Sequence, residues 1–225
     1  MHDEATLIDR RDGPYGEVAL RRRGDCFEII ANGCFLMDSS DGRSERALVT
    51  SGLDQLERPG GACVLIGGLG IGFSLAQASA DPRPSRIHVV EREQAVIDWH
   101  IHGAAPLRAF AGGGHDDPRT RVIQADLLDY LQTGADRYDL ICLDIDNGPD
   151  WTVTEGNRGL YQPAGLSLLE RALADGGVLA VWSAADPPEF RGLLASRFAR
   201  VTTLEIPLDG GRRGDPDVVL LASRA

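Results

Sequence analysis

The chain of 225 residues contains no lysine; its 23 basic side chains other than histidine are all arginine. That absence excludes Schiff-base chemistry, a pyridoxal phosphate anchor and a phosphate loop of the Gly-Lys-Ser/Thr type. Long apolar runs are missing too. No stretch approaches the ~20 residues that span a bilayer, and Met1-His2-Asp3-Glu4 lacks the basic start of a secretory leader. A cytoplasmic location without a membrane partner is the expectation. The four cysteines, Cys26, Cys34, Cys63 and Cys142, show no Cys-x-x-Cys spacing. Cys63 and Cys142 lie in apolar runs, as buried reduced thiols do. His100 and His102 stand two apart with no cysteine or acid suitably spaced, so no metal site is expected. Positive charge is scarce: the net charge is -11. Nucleic acid and anionic membranes are excluded as partners, whereas a cationic or neutral small substrate suits such a field.

What is present centres on residues 62–73. The apolar run Val64-Leu65-Ile66 stops at Gly67, Gly68, Gly70 and Gly72, and an amphipathic segment begins at Phe73. This reads as a buried strand, a tight turn and the first turn of a helix. Glycines there serve a nucleotide cradle, because they reach unusual backbone angles and let a ligand touch the backbone at a helix start. The same turn also occurs as a purely structural device.

Before this loop, residues 15–38 alternate polar and apolar positions, with turn signals at Gly24-Asp25 and Asn32-Gly33. They predict an N-terminal β-meander, Asn-Gly favouring the type I′ hairpin turn. Residues 43–57 read as a helix ending before Pro59. From Ala62 onward strands alternate with helices. Strands are predicted at 86–91, 120–124, 138–144 and 177–183, with closing strands at 200–206 and 217–222. Helices are predicted from 93, 126, 160 and 187. Regular alternation implies an α/β fold with a parallel sheet covered on both faces.

Ligands of such sheets bind beyond the carboxyl ends of the strands. Acidic residues gather there. Glu91 ends the second strand about 20 residues past the glycine loop, where a carboxylate binds ribose hydroxyls. Asp126 follows the third strand and has two readings, an acceptor for an adenine amino group or the N-cap of the next helix. Asp144 ends the fourth strand, with Asp146 just beyond. A dinucleotide dehydrogenase shares this pattern, but the glycines at 68, 70 and 72 read Gly-x-Gly-x-Gly rather than Gly-x-Gly-x-x-Gly.

With those residues in hand, the chain resembles the spermidine synthase (polyamine aminopropyltransferase) family, a branch of the class I methyltransferase superfamily. The likeness lies in Val64 to Gly72, Val89-Val90-Glu91, Gln124-Ala125-Asp126, Tyr138 to Asp144 and Leu173 to Leu179. It implies a Rossmann-like seven-stranded methyltransferase fold with a small N-terminal β-meander appendage. It also implies an adenosyl sulfonium cofactor, with Glu91 on the ribose, Asp126 near the adenine and Asp144 at the attacking amine. Departures from the family pattern are also legible. Gly70 stands where the family carries an acid that holds the amine of decarboxylated S-adenosylmethionine. An apolar Leu36 or Met37 replaces a glutamine, Arg43-Ser44-Glu45 replaces Tyr-His-Glu, and the Asp-Ser-Ser-Asp-Pro loop becomes Asp144 to Pro149.

The resulting expectation is a meander and connecting helix over residues 1–58 and a catalytic domain over 59–225. The cofactor is S-adenosylmethionine or its decarboxylated form, without a metal, held by Gly67, Gly68, Gly70, Gly72, Glu91, Asp126, Leu127 and Asp144. Asp144 and Asp146 are the catalytic pair. Asp146, Asn147, Trp151, Tyr161 and Trp182 face a small amine substrate, although Trp151 at the surface and Tyr161 and Trp182 in the core or rim have purely structural readings. The missing acid at Gly70 favours methyl transfer, or transfer or cyclisation of the aminocarboxypropyl arm. The alternatives are aminopropyl transfer from the decarboxylated cofactor and an inactive nucleoside-binding or assembly subunit. The only macromolecular partner foreseen is a second copy, as a homodimer.

Overall fold

The computed structural model describes residues 4–153, 155–207 and 215–224; Met1, His2 and Asp3 of the N-terminal stretch lie outside them. Four antiparallel strands open the chain: β1 (Thr6–Gly13), β2 (Gly16–Arg23), β3 (Cys26–Ala31) and β4 (Cys34–Asp38), paired in sequence order. Asn32 and Gly33 both adopt positive φ, 51° and 77°, as the type I′ turn between β3 and β4 requires. The meander begins earlier than the polar–apolar alternation predicts. Strand β1 is exposed along most of its length, so it carries no buried alternation to read.

Helix α1 (Arg43–Asp54) leads into the second sheet, built from β5 (Ala62–Gly67), β6 (Pro84–Glu91), β7 (Thr120–Gln124), β8 (Tyr138–Leu143), β9 (Leu173–Ser183), β10 (Arg200–Ile206) and β11 (Asp217–Ser223). Its order is β10-β11-β9-β8-β5-β6-β7. The strands from β7 to β9 run parallel, and β11 pairs antiparallel with both β9 and β10. Strand order reverses between β5 and β8, which opens a crevice at their carboxyl ends. This is the seven-stranded arrangement that the strand–helix alternation and the family resemblance imply.

Alternation along each central strand divides the interior in two. Val64, Ile66, Leu140, Cys142 and Val178 face α1, α2 (Phe73–Ala80) and α3 (Gln94–Ile101). Leu65, Ile141, Leu143 and Leu179 face the core shared with α4 (Leu127–Thr133), α5 (Pro163–Ala172) and α6 (Pro188–Ala195). Two boundaries differ from the sequence reading. Helix α1 stops at Asp54, and β9 begins at Leu173 rather than at 177, because Leu173 pairs with Tyr138. Between α3 and β7 lie two short 3-10 turns, Arg108–Ala111 and Gly114–Asp116.

The N-terminal sheet is joined to the main body by packing and by polar ties. Val18, Leu20 and Ile29 enter the same core as Val64 and Ile66. The Trp99 indole N–H donates to Asp9 at 2.9 Å, and the Arg11 guanidinium donates to Asp98 at 2.5 Å. No helix among the described residues is long and apolar enough to cross a membrane.

Leu48, fully buried on α1, anchors that helix against the sheet. Leu48→Ala should destabilise the fold by ~2–5 kcal/mol through lost transfer energy and a residual cavity. Urea unfolding with an unchanged midpoint would show that α1 is not part of the cooperative core.

Candidate active site

A cavity of about 660 Å³ fills the crevice at the switch point. Its floor is made by the ends of β5, β6 and β8. Strands β2 to β4 form its roof through side chains such as Ile29, Phe35 and Met37.

The glycine loop is strung between neighbours on both sides. The Gly68 N–H donates to the Val90 carbonyl and the Asp144 N–H to the Gly67 carbonyl, each at 2.9 Å. Gly68 adopts φ +93°, and a Cβ there would run into the Asp144 carbonyl oxygen. Only glycine satisfies both constraints. Beyond the turn, Glu91 accepts the Leu69 N–H at 2.9 Å through Oε2 and the Glu93 N–H at 2.8 Å through Oε1. Burial raises the pKa of this carboxyl while the amides oppose the rise. Gly70 has φ +48°, and Met37 Sδ lies 2.5 Å from where its Cβ would be. The position the family resemblance fills with an acid is therefore covered by a thioether from β4.

Opposite the loop, carboxylates crowd together. The Ser74 hydroxyl of α2 donates to Asp144 Oδ2 at 2.8 Å. Burial is the main force pushing the Asp144 pKa up, to about 6; Asp217 and Glu91 add to it and Ser74 opposes it. Glu45 of α1, only 6% exposed, is pushed up further, to about 8, by burial and then by Asp144. Both carboxyls face the cavity, as does Asp217 at the start of β11. Asp146 sits in a left-handed turn at φ 52°, and the Asn157 amide donates to it at 2.7 Å. Asn147 donates to the Phe35 carbonyl at 3.3 Å, tying the acidic loop to the N-terminal hairpin. Arg92 stacks over the Tyr15 ring at 4.6 Å and reaches Asn157 Oδ1 at 3.3 Å. Among the described residues that line the cavity, ten are carboxylates and one, Arg92, is a cation.

Nine of the residues expected at the site line this cavity: Gly68, Gly70, Glu91, Leu127, Asp144, Asp146, Asn147, Trp151 and Trp182. Trp151 is 60% exposed, at the mouth. Four others stand behind its wall. Gly67 ends β5 beneath the Leu127 side chain, and Gly72 precedes α2 against His100 and Ala111. Asp126 takes the N-cap role, accepting from the Leu128 and Asp129 N–H groups at 2.9 and 3.3 Å. Tyr161 is buried and its hydroxyl donates to the Ile145 carbonyl at 3.3 Å. Sequence reasoning missed Glu45, Ser74 and Asp217 as site residues. Asp217 had a readable signal, because an antiparallel strand brings its beginning to the edge where its parallel neighbours end. Val218, the next residue, indeed pairs with Ser183 at the end of β9.

The spermine/spermidine synthase domain matches residues 43–189, which is more than half of the chain. The chain belongs to this family. The match spans α1, the glycine loop, Glu91 and the acidic loop, all of which contribute to the cavity, whereas its roof from β2 to β4 and Asp217 lie outside the matched segment. Curated relatives include polyamine aminopropyltransferase 2 of Ralstonia nicotianae (strain ATCC BAA-1114 / GMI1000), 28% identical over 176 residues, 78% of this chain and 33% of the relative. Polyamine aminopropyltransferase 1 of Streptomyces coelicolor (strain ATCC BAA-471 / A3(2) / M145) is 29% identical over 147 residues, 60% of this chain and 27% of the relative. The chain thus spans about a third of the length of the curated relatives it matches. Among solved structures, spermidine synthase in complex with the transition state analogue AdoDATO superposes with TM-score 0.80 at 17% identity, over 98% of this chain and 74% of that one. Spermidine synthase from Thermotoga maritima gives TM-score 0.77 at 16% identity, over 98% and 73%. These two likenesses establish the shared fold.

In this spermine/spermidine synthase family member, the crowded carboxyls set a pH dependence. Glu45 and Asp144 bind protons more tightly folded than unfolded, so their contribution to stability is full below about pH 4 and is lost as pH rises toward 8. Glu45→Gln should flatten the fall in Tm between pH 5 and 9 and raise Tm at the alkaline end. Equal slopes for variant and wild type would remove Glu45 from the proton-sharing group.

Proposed function

We propose that the chain is a polyamine aminopropyltransferase that moves the aminopropyl arm of decarboxylated S-adenosylmethionine onto an amine of a small polyamine. The charge of the cavity carries this reading. A donor with a sulfonium and a primary ammonium is stabilised by a lining of ten acidic residues, as is an acceptor with several amines. The carboxylate of intact S-adenosylmethionine is repelled, and like charges ~4 Å apart in a partly desolvated site repel by a few kcal/mol. The names of the relatives favour the same reading over methyl transfer or aminocarboxypropyl chemistry, which Gly70 taken alone suggests. The acid missing at Gly70 is offset by Glu45, Asp144 and Asp217, which reach the cavity from α1, β8 and β11.

The residues present fit an adenosyl group. Gly68 has no room for a Cβ, and Glu91, after accepting two amides, keeps lone pairs for ribose hydroxyls. The buried Trp182 indole N–H has no hydrogen-bond partner among the described residues and lines the cavity, as a donor kept for a ligand does. When bound, the sulfonium supplies an electrophilic carbon and a neutral thioether leaving group. An amine attacks only when neutral, so a base must take its proton. Asp144 is that base: Ser74 holds Oδ2, which leaves Oδ1 for the amine. Burial and repulsion from neighbouring carboxylates raise the pKa of both Glu45 and Asp144, so the ionised form of either is favoured when an ammonium enters between them. Asp146, oriented by Asn157, receives the far ammonium of the acceptor, and Asn147 and Trp151 bound that side. Residues 1–58 act as a roof and 59–225 as the catalytic unit of a cytoplasmic enzyme.

Incubation with putrescine or spermidine and each donor, followed by mass spectrometry, tests the reading. Methylthioadenosine formed only from the decarboxylated donor is the expected result; S-adenosylhomocysteine from intact S-adenosylmethionine overturns it. Asp144→Asn should lower turnover by ~10²-fold or more with donor binding retained. If Asp146→Asn abolishes turnover while Asp144→Asn does not, the two roles exchange.

A further inference from the structure

His100 is completely buried, and the chemistry above does not use it. It lies on α3 behind the glycine loop. A Cβ at Gly72 would lie 2.9 Å from its Cε1, and the His115 ring packs beside it with centroids 4.8 Å apart. His100 Nε2 is 2.9 Å from the Gly70 carbonyl oxygen. A carbonyl only accepts, so Nε2 bears the proton and donates it. Burial holds the ring's pKa down, to about 4, with the Gly70 carbonyl opposing and His115 and Arg108 assisting, so the imidazole is neutral at physiological pH.

The carbonyl and N–H of one planar trans peptide point in opposite directions. Turning the Gly70 carbonyl back to His100 therefore turns the Ile71 N–H away from His100, in a loop whose Gly70 lines the cavity. The preceding stretch is held separately, by the Leu69 N–H on Glu91. Gly70 itself has no Cβ to oppose rotation of this peptide, so the hydrogen bond decides which way it faces.

We propose that His100 is a positioning residue for the nucleoside donor: by holding the Gly70 carbonyl it orients the Gly70–Ile71 peptide so that its N–H serves the bound ligand. The proposal rests on the donor reading above and names a residue that acts only through the loop. Substitution separates the hydrogen bond from packing. His100→Leu removes the donor at similar bulk, whereas His100→Gln places an amide N–H near the position of Nε2. If His100→Leu does not fold, His100→Asn replaces it, since its shorter amide stops short of the Gly70 carbonyl.

The probe is 5′-methylthioadenosine, titrated calorimetrically into wild type and variants whose folded fraction is fixed from thermal unfolding. The donor-less variant is expected to bind ~10-fold more weakly. His100→Gln is expected within about threefold of wild type, and the polyamine KM in all variants near its wild-type value. A purely structural role would lower Tm without changing affinity per folded molecule. Wild-type affinity in the donor-less variant, or equal loss in His100→Gln, overturns the positioning role alone. Wild-type protein that binds no methylthioadenosine overturns the donor reading and this proposal together.

Discussion

The cavity depends on the Glu91 carboxylate and the two amides it accepts. One oxygen takes the Leu69 N–H from the glycine loop and the other takes the Glu93 N–H from its own strand end. A carboxyl buried to 8% exposure is stable only when it is hydrogen-bonded in this way. The same bonds hold the loop at a fixed height above β6. Once the loop is placed, Gly68 must pass under the Asp144 carbonyl, and α2 must begin where Ser74 reaches Asp144. The glycine loop and Asp144 are thus one connected hydrogen-bonded unit.

The acidic cluster follows a second constraint. Glu45, Asp144 and Asp217 come from three elements far apart in sequence and face one desolvated space. They cannot all ionise without a cation among them, and the raised pKa values of Glu45 and Asp144 express that frustration. Under the proposed function, the ammonium groups of a polyamine relieve it. Substrate recognition and the internal proton are therefore linked: what is costly in the empty pocket becomes binding energy when an ammonium enters.

Much of this was legible in the residues. Strand and helix periods place every strand of the main sheet to within a few residues, apart from the early start of β9. Gly68, Glu91 and Asp144 announce themselves by position at strand ends. Glu45 was harder to read, because a carboxylate in an amphipathic helix looks like an exposed first-turn residue until tertiary packing buries it. For Asp126, which had two readings, the N-cap one is realised: the local demand of a helix N-terminus for an acceptor engages the side chain. Strand β1 carries no periodic signal at all, since neither of its faces is deeply covered. Met37 could not be assigned from sequence spacing, because its contact with Gly70 spans two separate sheets.

That last contact bears on how such a site can diversify. The space above Gly70 belongs to a β4 side chain, so its size and polarity are set by a residue in an ordinary extended conformation. A change at position 37 alters what the loop offers a donor without touching the left-handed backbone at 70, where nearly any side chain is strained. The space above the loop and the backbone of the loop are thus set by different segments of the chain.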